Sequence, residues 1–369
     1  MPTRGATVEF RGVTKRYGGA TVALADLSFE VPAGAICALV GPSGGGKTTA
    51  LKIVNRLIEP TSGEVLIDGR NVLSEDPVQL RRRIGYVIQQ VGLFPHRTVA
   101  ENVATVPELV GWPRGRIRQR VRELLELVGL DPTRYEERYP AQLSGGERQR
   151  VGVARALAAE PPVMLMDEPF GAVDPIVRER LQDEFLRIHE RLGMTVLFVT
   201  HDIDEAIKMG SRVAVLQGGR LVQYAPPAEL LERPANDFVA RFVGADRGLK
   251  RLSLISVGEC ELRDVRTARV GEPVAGSARS ADGNPFVLLL DGRGRPEGWV
   301  NVERAGAERF DAQMADPSSP LFTRTTRARD ALSQLLASGV RTGVVVDDEG
   351  RYLGVLALED VISLLRRDP

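Results

Sequence analysis

The stretch Gly41-Pro42-Ser43-Gly44-Gly45-Gly46-Lys47-Thr48 fits the spacing G-x-x-x-x-G-K-[ST], and Thr49 follows it. Glycines let backbone N–H groups approach a phosphate chain, and the helix that such a loop opens adds positive potential. The lysine reaches the β- and γ-phosphates, and the threonine hydroxyl can ligate Mg²⁺. The chemistry implied is that of ATP. Val163-Met164-Leu165-Met166 is an apolar run ending in Asp167, so a buried strand delivers that carboxylate at its C-terminal edge, where ligands of such sheets collect. Asp167 then completes the Mg²⁺ shell, and Glu168 beside it is placed to orient and deprotonate an attacking water. His201 follows a second apolar run, Thr195–Thr200, and surfaces at the same edge. It can touch a γ-phosphate or cap the helix opened by Asp202. Of His96, His189 and His201 it alone sits at such a strand end, which favours the phosphate contact.

A second serine-glycine loop, Leu143-Ser144-Gly145-Gly146-Glu147-Arg148-Gln149-Arg150, has no lysine. Alone it reads as a well-capped helix start, because Ser144-x-x-Glu147 has capping-box spacing. A carboxylate aimed at a triphosphate would be repelled, so Glu147 is expected to turn back onto its own helix terminus while Ser144, Gly145 and Gly146 face outward.

These residues need a scaffold, and the pattern supplies one. Residues 8–17, 22–32 and 35–41 read as strands separated by Gly18-Gly19 and Pro32-Ala33-Gly34. Residues 48–58 carry helical spacing that stops near Pro60, and further amphipathic helices are expected over about 115–130, 151–160 and 202–209. Strands alternating with helices imply an α/β fold with a largely parallel sheet covered on both faces.

At 369 residues the chain fits two domains. Apolar residues make up 43% of it without any run long enough to span a bilayer, and the N-terminus lacks a signal-peptide pattern, which predicts a cytoplasmic location. The 49 basic and 49 acidic residues cancel, which argues against nucleic acid as a partner. Cys37 and Cys260 stand far apart with no ligand cluster, so neither a disulfide nor a zinc site is expected, and Cys37 reads as core.

Beyond a stretch without periodicity at 245–250, read as a linker, the chain repeats itself. Asp291, Gly294, Arg295 and Gly298 recur as Asp347, Gly350, Arg351 and Gly354, which predicts two strand-turn-strand-helix units.

Taken together, these features resemble the ATP-binding cassette (ABC) family over about residues 7 to 243, with LSGGERQR matching its signature. The resemblance implies a P-loop NTPase cassette: a mostly parallel sheet with helices, an antiparallel β subdomain and an α-helical signature subdomain. A domain of residues 1–244 would carry it, with 251–369 forming a small α+β pair of cystathionine-β-synthase (CBS) motifs. The resemblance further implies a head-to-tail homodimer in which Ser144, Gly145 and Gly146 clamp the partner's ATP. It makes Gln89 the loop glutamine touching Mg²⁺, with Gln90 its competitor, Tyr17 the adenine-stacking aromatic, and Asp174 part of a loop crossing the dimer interface. Residues 51–69, 81–103 and 152–175 are similar to cassettes of osmoprotectant importers for glycine betaine, choline or carnitine. That implies permease subunits, an extracytoplasmic solute-binding protein and a place on the cytoplasmic face of the membrane. Import of another solute, and a soluble ATP switch without a transport role, are the alternatives. Adenosine nucleotides bind CBS pairs through a G-h-x-[ST]-x-x-D turn. Here the copies read Gly354…Ala357…Asp360 and Gly298…Asn301…Arg304, so a regulatory or dimer-stabilising role is expected in place of nucleotide binding.

Overall fold

The computed structural model describes residues 5–18, 21–88, 92–171, 174–274, 285–305, 308–317, 319–338 and 341–366. They form two compact units, Met1–Val243 and Gly244–Pro369.

In the first unit a six-stranded sheet runs, edge to edge, through Arg220–Ala225, Arg212–Gln217, Ile36–Val40, Thr195–Val199, Val163–Asp167 and Ile84–Val87. Only the first pairing is antiparallel. Every residue of Ile36–Val40, Val163–Asp167 and Thr195–Val199 is buried. Helix-covered parallel strands lack a solvent face, which is why these segments read as unbroken apolar runs. A separate antiparallel sheet joins Thr21–Val31, Val8–Tyr17, Ser62–Ile67 and Arg70–Asn71. Its residues Val8 and Phe10 alternate inward, a bulge then brings Val13 to the same face, Phe10 stacks on Phe29 at 4.6 Å, and this face shares one core with Leu39, Leu51 and Leu165 of the parallel layer.

The helix Lys47–Val54 ends earlier than its apolar spacing suggests. Asn55 caps it, Arg56 turns left-handed (φ 47°) and Leu57 N–H bonds back to the Lys52 carbonyl, so the last apolar residues belong to the turn. A helical region packs Val99–Leu109, Arg114–Leu127 and Gly145–Leu157 together. Ile117, Val121, Leu124 and Leu125 supply its buried stripe at helical spacing.

In the second unit each copy of the repeat is a three-stranded sheet: Thr267–Arg269, Phe286–Leu290 and Pro296–Asn301 in the first, Leu321–Thr323, Thr342–Val346 and Tyr352–Ala357 in the second. Both pair a parallel strand with a hairpin. The repeated acid is turn chemistry. Asp291 Oδ1 accepts the N–H groups of Arg293 (2.7 Å) and Arg295 (2.8 Å), and Asp347 Oδ1 those of Glu349 (3.0 Å) and Arg351 (2.7 Å). These bonds hold both carboxyls below the usual carboxylate range. Gly294 and Gly350 take the left-handed backbone that closes each turn (φ 79° and 80°). Leu288, Leu290, Val344 and Val346 then pack the two sheets against each other.

One expectation needs correction here. The copies are not equal: the helix Leu358–Arg366 follows the hairpin of the second, whereas among the described residues only the single 3-10 turn Ala312–Met314 stands between Pro296–Asn301 and the next strand. The segment after Asn301 lacks helical spacing and sends single apolar residues, Val302, Ala305 and Phe310, onto the sheet. The stretch read as a linker is mostly helical, Arg247–Leu252. Asp246 pairs with Lys250 one turn on (3.3 Å), and Leu252 is buried against Val257 and Phe322.

Candidate active site

The phosphate loop leaves the strand Ile36–Val40 and enters the helix Lys47–Val54. Gly41 is forced by close approach, since a Cβ there would lie 2.0 Å from the Leu216 carbonyl oxygen. Lys47 is buried, its Nζ donating to the carbonyls of Gly41 (2.8 Å) and Pro42 (2.9 Å). Burial lowers the ammonium's pKa, and the nearby carboxylates of Glu168 and Asp167 oppose that shift.

Across the loop, Thr48 Oγ1 donates to Asp167 Oδ1 at 3.0 Å. Asp167 is the buried last residue of Val163–Asp167, and its carboxyl pKa is raised, first by burial, with Glu168 adding to the rise. Removing a carboxylate from water next to another one carries that penalty unless a cation joins them. Glu168 stands one residue on in a left-handed conformation (φ 47°), its N–H bonded to the Val199 carbonyl. That kink turns its side chain toward His201, whose Nδ1 lies 3.3 Å from Glu168 Oε1. His201 is 67% exposed, and Asp202, not His201, caps the helix Ile203–Met209 through the N–H groups of Asp204 and Glu205. Lys47, Thr48, Asp167, Glu168 and His201 thus gather at the C-terminal edge of one sheet.

Tyr17 ends its strand 43% exposed, with Lys15 Nζ 5.2 Å from its ring centre, so it is not core. Asp174 caps the helix Pro175–Leu192 through Val177 N–H. Ser144 caps Gly145–Leu157, and both Ser144 and Gly145 are exposed. Gln89, Gln90 and Val173, the residue before Asp174 in the expected interface loop, lie outside the described residues.

Glu147 forms the expected capping box, Oε2 accepting Ser144 N–H at 2.7 Å while Glu147 N–H donates to Ser144 Oγ at 3.2 Å. Its other oxygen accepts the Tyr135 hydroxyl at 2.6 Å, a partner twelve residues upstream that no local spacing pointed to. Sequence reasoning also passed over Gln182 and Glu205, both buried, where Gln182 Nε2 donates to Glu205 Oε1 at 3.0 Å. The bond joins the helix capped by Asp174 to the one that follows His201, and Glu205's pKa is raised by burial.

A glycine loop at a helix start, a strand-borne Asp-Glu pair and a histidine on the neighbouring strand define a phosphate-loop ATPase. Residues 24–171 match the model of the ABC transporter family and residues 314–367 that of the CBS domain. The osmoprotectant import ATP-binding protein OsmV of Salmonella typhimurium is 45% identical, over 97% of this chain and 96% of its own length. The glycine betaine uptake system ATP-binding protein YehX of Escherichia coli is 50% identical, over 96% of this chain and 99% of its own. The chain belongs to the ABC transporter family and is one of its ATP-hydrolysing subunits. Among solved structures, a dimeric ATP-binding cassette in a post-hydrolysis state with ADP and Pi shares 36% identity at a TM-score of 0.55, covering 60% of this chain and 98% of that one. Only the second copy of the C-terminal repeat falls inside the CBS match, in keeping with the inequality of the two copies. Among the described residues no helix is long and apolar enough to cross a membrane.

Proposed function

We propose that this chain drives import of quaternary-amine osmoprotectants of the glycine betaine, choline and carnitine type from the cytoplasmic face of the membrane, joined to permease subunits and served by a solute-binding protein. The solute reading rests on likeness along nearly the whole chain, C-terminal unit included, to proteins named for osmoprotectant and glycine betaine uptake. Residues 1–244 form the cassette, and 251–369 have a regulatory or dimer-stabilising role.

The observation that carries the catalytic reading is the convergence of Lys47, Thr48, Asp167, Glu168 and His201 at one sheet edge. Residues 41–49 cradle the phosphates, with Lys47 exchanging its loop carbonyls for β- and γ-oxygens. The Thr48 hydroxyl and Asp167 carboxylate, 3.0 Å apart, are hard oxygen donors suited to Mg²⁺, and Gln89 adds a third. When bound, Mg²⁺ neutralises charge on the phosphate oxygens. Glu168 orients water and accepts its proton, and His201 holds both Glu168 and the γ-phosphate. Tyr17 stacks on adenine. Ser144, Gly145 and Gly146 offer a hydroxyl and helix N-terminal N–H groups to the ATP of a second copy, with Asp174 at the dimer interface.

Glu168→Gln removes the proton acceptor and keeps the shape, so it should accumulate an ATP-bound dimer in size-exclusion chromatography. A protein that stays monomeric with saturating ATP refutes the head-to-tail arrangement. Uptake of radiolabelled glycine betaine by cells expressing this chain together with its permease and solute-binding protein tests the solute class; no uptake rejects it.

A further inference from the structure

We infer that Tyr135 is a positioning residue for the signature loop: its hydroxyl holds the Glu147 carboxylate against the chain's own helix terminus and off the surface that meets a second copy's nucleotide. The inference rests on the head-to-tail reading proposed above. A carboxylate three residues into a helix is well placed electrostatically for that helix, yet it stands within one turn of the groups offered to a triphosphate. Its harmlessness therefore depends on where it points. Both oxygens of Glu147 are engaged away from Gly145 and Gly146, Oε2 by Ser144 N–H and Oε1 by Tyr135 Oη. The second bond, at 2.6 Å, is of the short charge-assisted kind and depresses the carboxyl's pKa, so the group remains a carboxylate that has to be directed.

Tyr135 is itself fixed. It closes the short helix Pro132–Tyr135, which Asp131 caps, and the Arg138 guanidinium lies 4.6 Å from its ring centre. The next residue, Glu136, is held by both arms of Arg122 (3.1 and 2.9 Å), and the carbonyls of Glu136 and Arg138 accept the N–H groups of Ala100 and Val99. The tyrosine thus ties the signature loop to the start of the helix Val99–Leu109.

The test uses the full chain carrying Glu168→Gln, with MgATP-driven dimerisation followed by sedimentation velocity. Tyr135→Phe should raise the protein concentration for half-dimerisation about tenfold to a hundredfold, the scale of one lost hydrogen bond to a charged group. Glu147→Gln, which removes the charge and can still cap, should change it by less than about twofold. The decisive variant is Tyr135→Phe with Glu147→Gln, which should match Glu147→Gln alone, because without the charge the hydroxyl has nothing to restrain. A tyrosine that only packs the fold would leave the deficit in the double variant, and that result overturns the inference, as does normal dimerisation of Tyr135→Phe. Glu147→Asp keeps the charge but shortens its reach, and should fail as Tyr135→Phe does even if the latter folds poorly; normal dimerisation of Glu147→Asp is a further refutation. If the Glu168→Gln parent stays monomeric, the head-to-tail reading falls first and takes this inference with it.

Discussion

The two glycine-bearing loops of the first unit begin helices in the same way and differ in where their polar groups are committed. In the loop 41–48 the lysine and threonine turn inward: Lys47 is buried on its own loop and Thr48 is bonded to Asp167. At residues 144–147 the serine and first glycine are exposed, and the one charged side chain is drawn back by Ser144 and Tyr135. The first is a set of polar contacts closed within one chain, the second a surface with its charge withdrawn. A helix N-terminus alone does not decide between these roles; the residues that bind its neighbours do.

That contrast can be broken or sharpened by substitution. Lys47→Ala should reduce ATPase activity about 100-fold or more and abolish binding of a fluorescent ATP analogue, because no other cation of the loop reaches the phosphates. Ser144→Ala should lower ATPase about tenfold while leaving nucleotide binding by the monomer unchanged; an equal loss in both would erase the distinction between the loops. Mixing these two impaired proteins should yield activity above either alone, since the mixed dimer retains one site with both Lys47 and Ser144, and a mixture no better than its parents would argue that each loop serves its own chain. Glu147→Gln is the smallest change, with steady-state ATPase expected within about twofold of wild type.

The inward-facing loop was the legible one. The residues of the phosphate loop, Asp167, Glu168 and His201 announce themselves because each sits at the end of an apolar strand or the start of a helix, and strand order then brings them together. Glu147's capping box was legible for the same local reason, whereas Tyr135 was not, because its contact crosses a turn and a short helix that local spacing cannot orient. Gln182 and Glu205 stayed hidden likewise: each reads as an ordinary helical polar residue until two helices pack and bury both. In the second unit the repeat was visible because turns need particular residues at fixed offsets, and Asp291 and Asp347 meet that need identically. Its inequality was not, since the shared frame covers the hairpins and leaves the helices unspecified. The helix over Arg247–Leu252 was missed because six residues are too few to display a period, and Leu252 finds its partners far along the chain.

Cys37 sits fully buried in the strand Ile36–Val40 that feeds the phosphate loop, and burial pushes its thiol pKa up to about 12. Alkylating reagents can therefore reach it only when the central sheet parts, so the labelling rate at this position measures the free energy of that opening in the unmodified protein. Ligands that bind only the closed sheet should slow the labelling in proportion to their occupancy. The cysteine serves as an internal clock for the layer on which the whole catalytic edge is mounted.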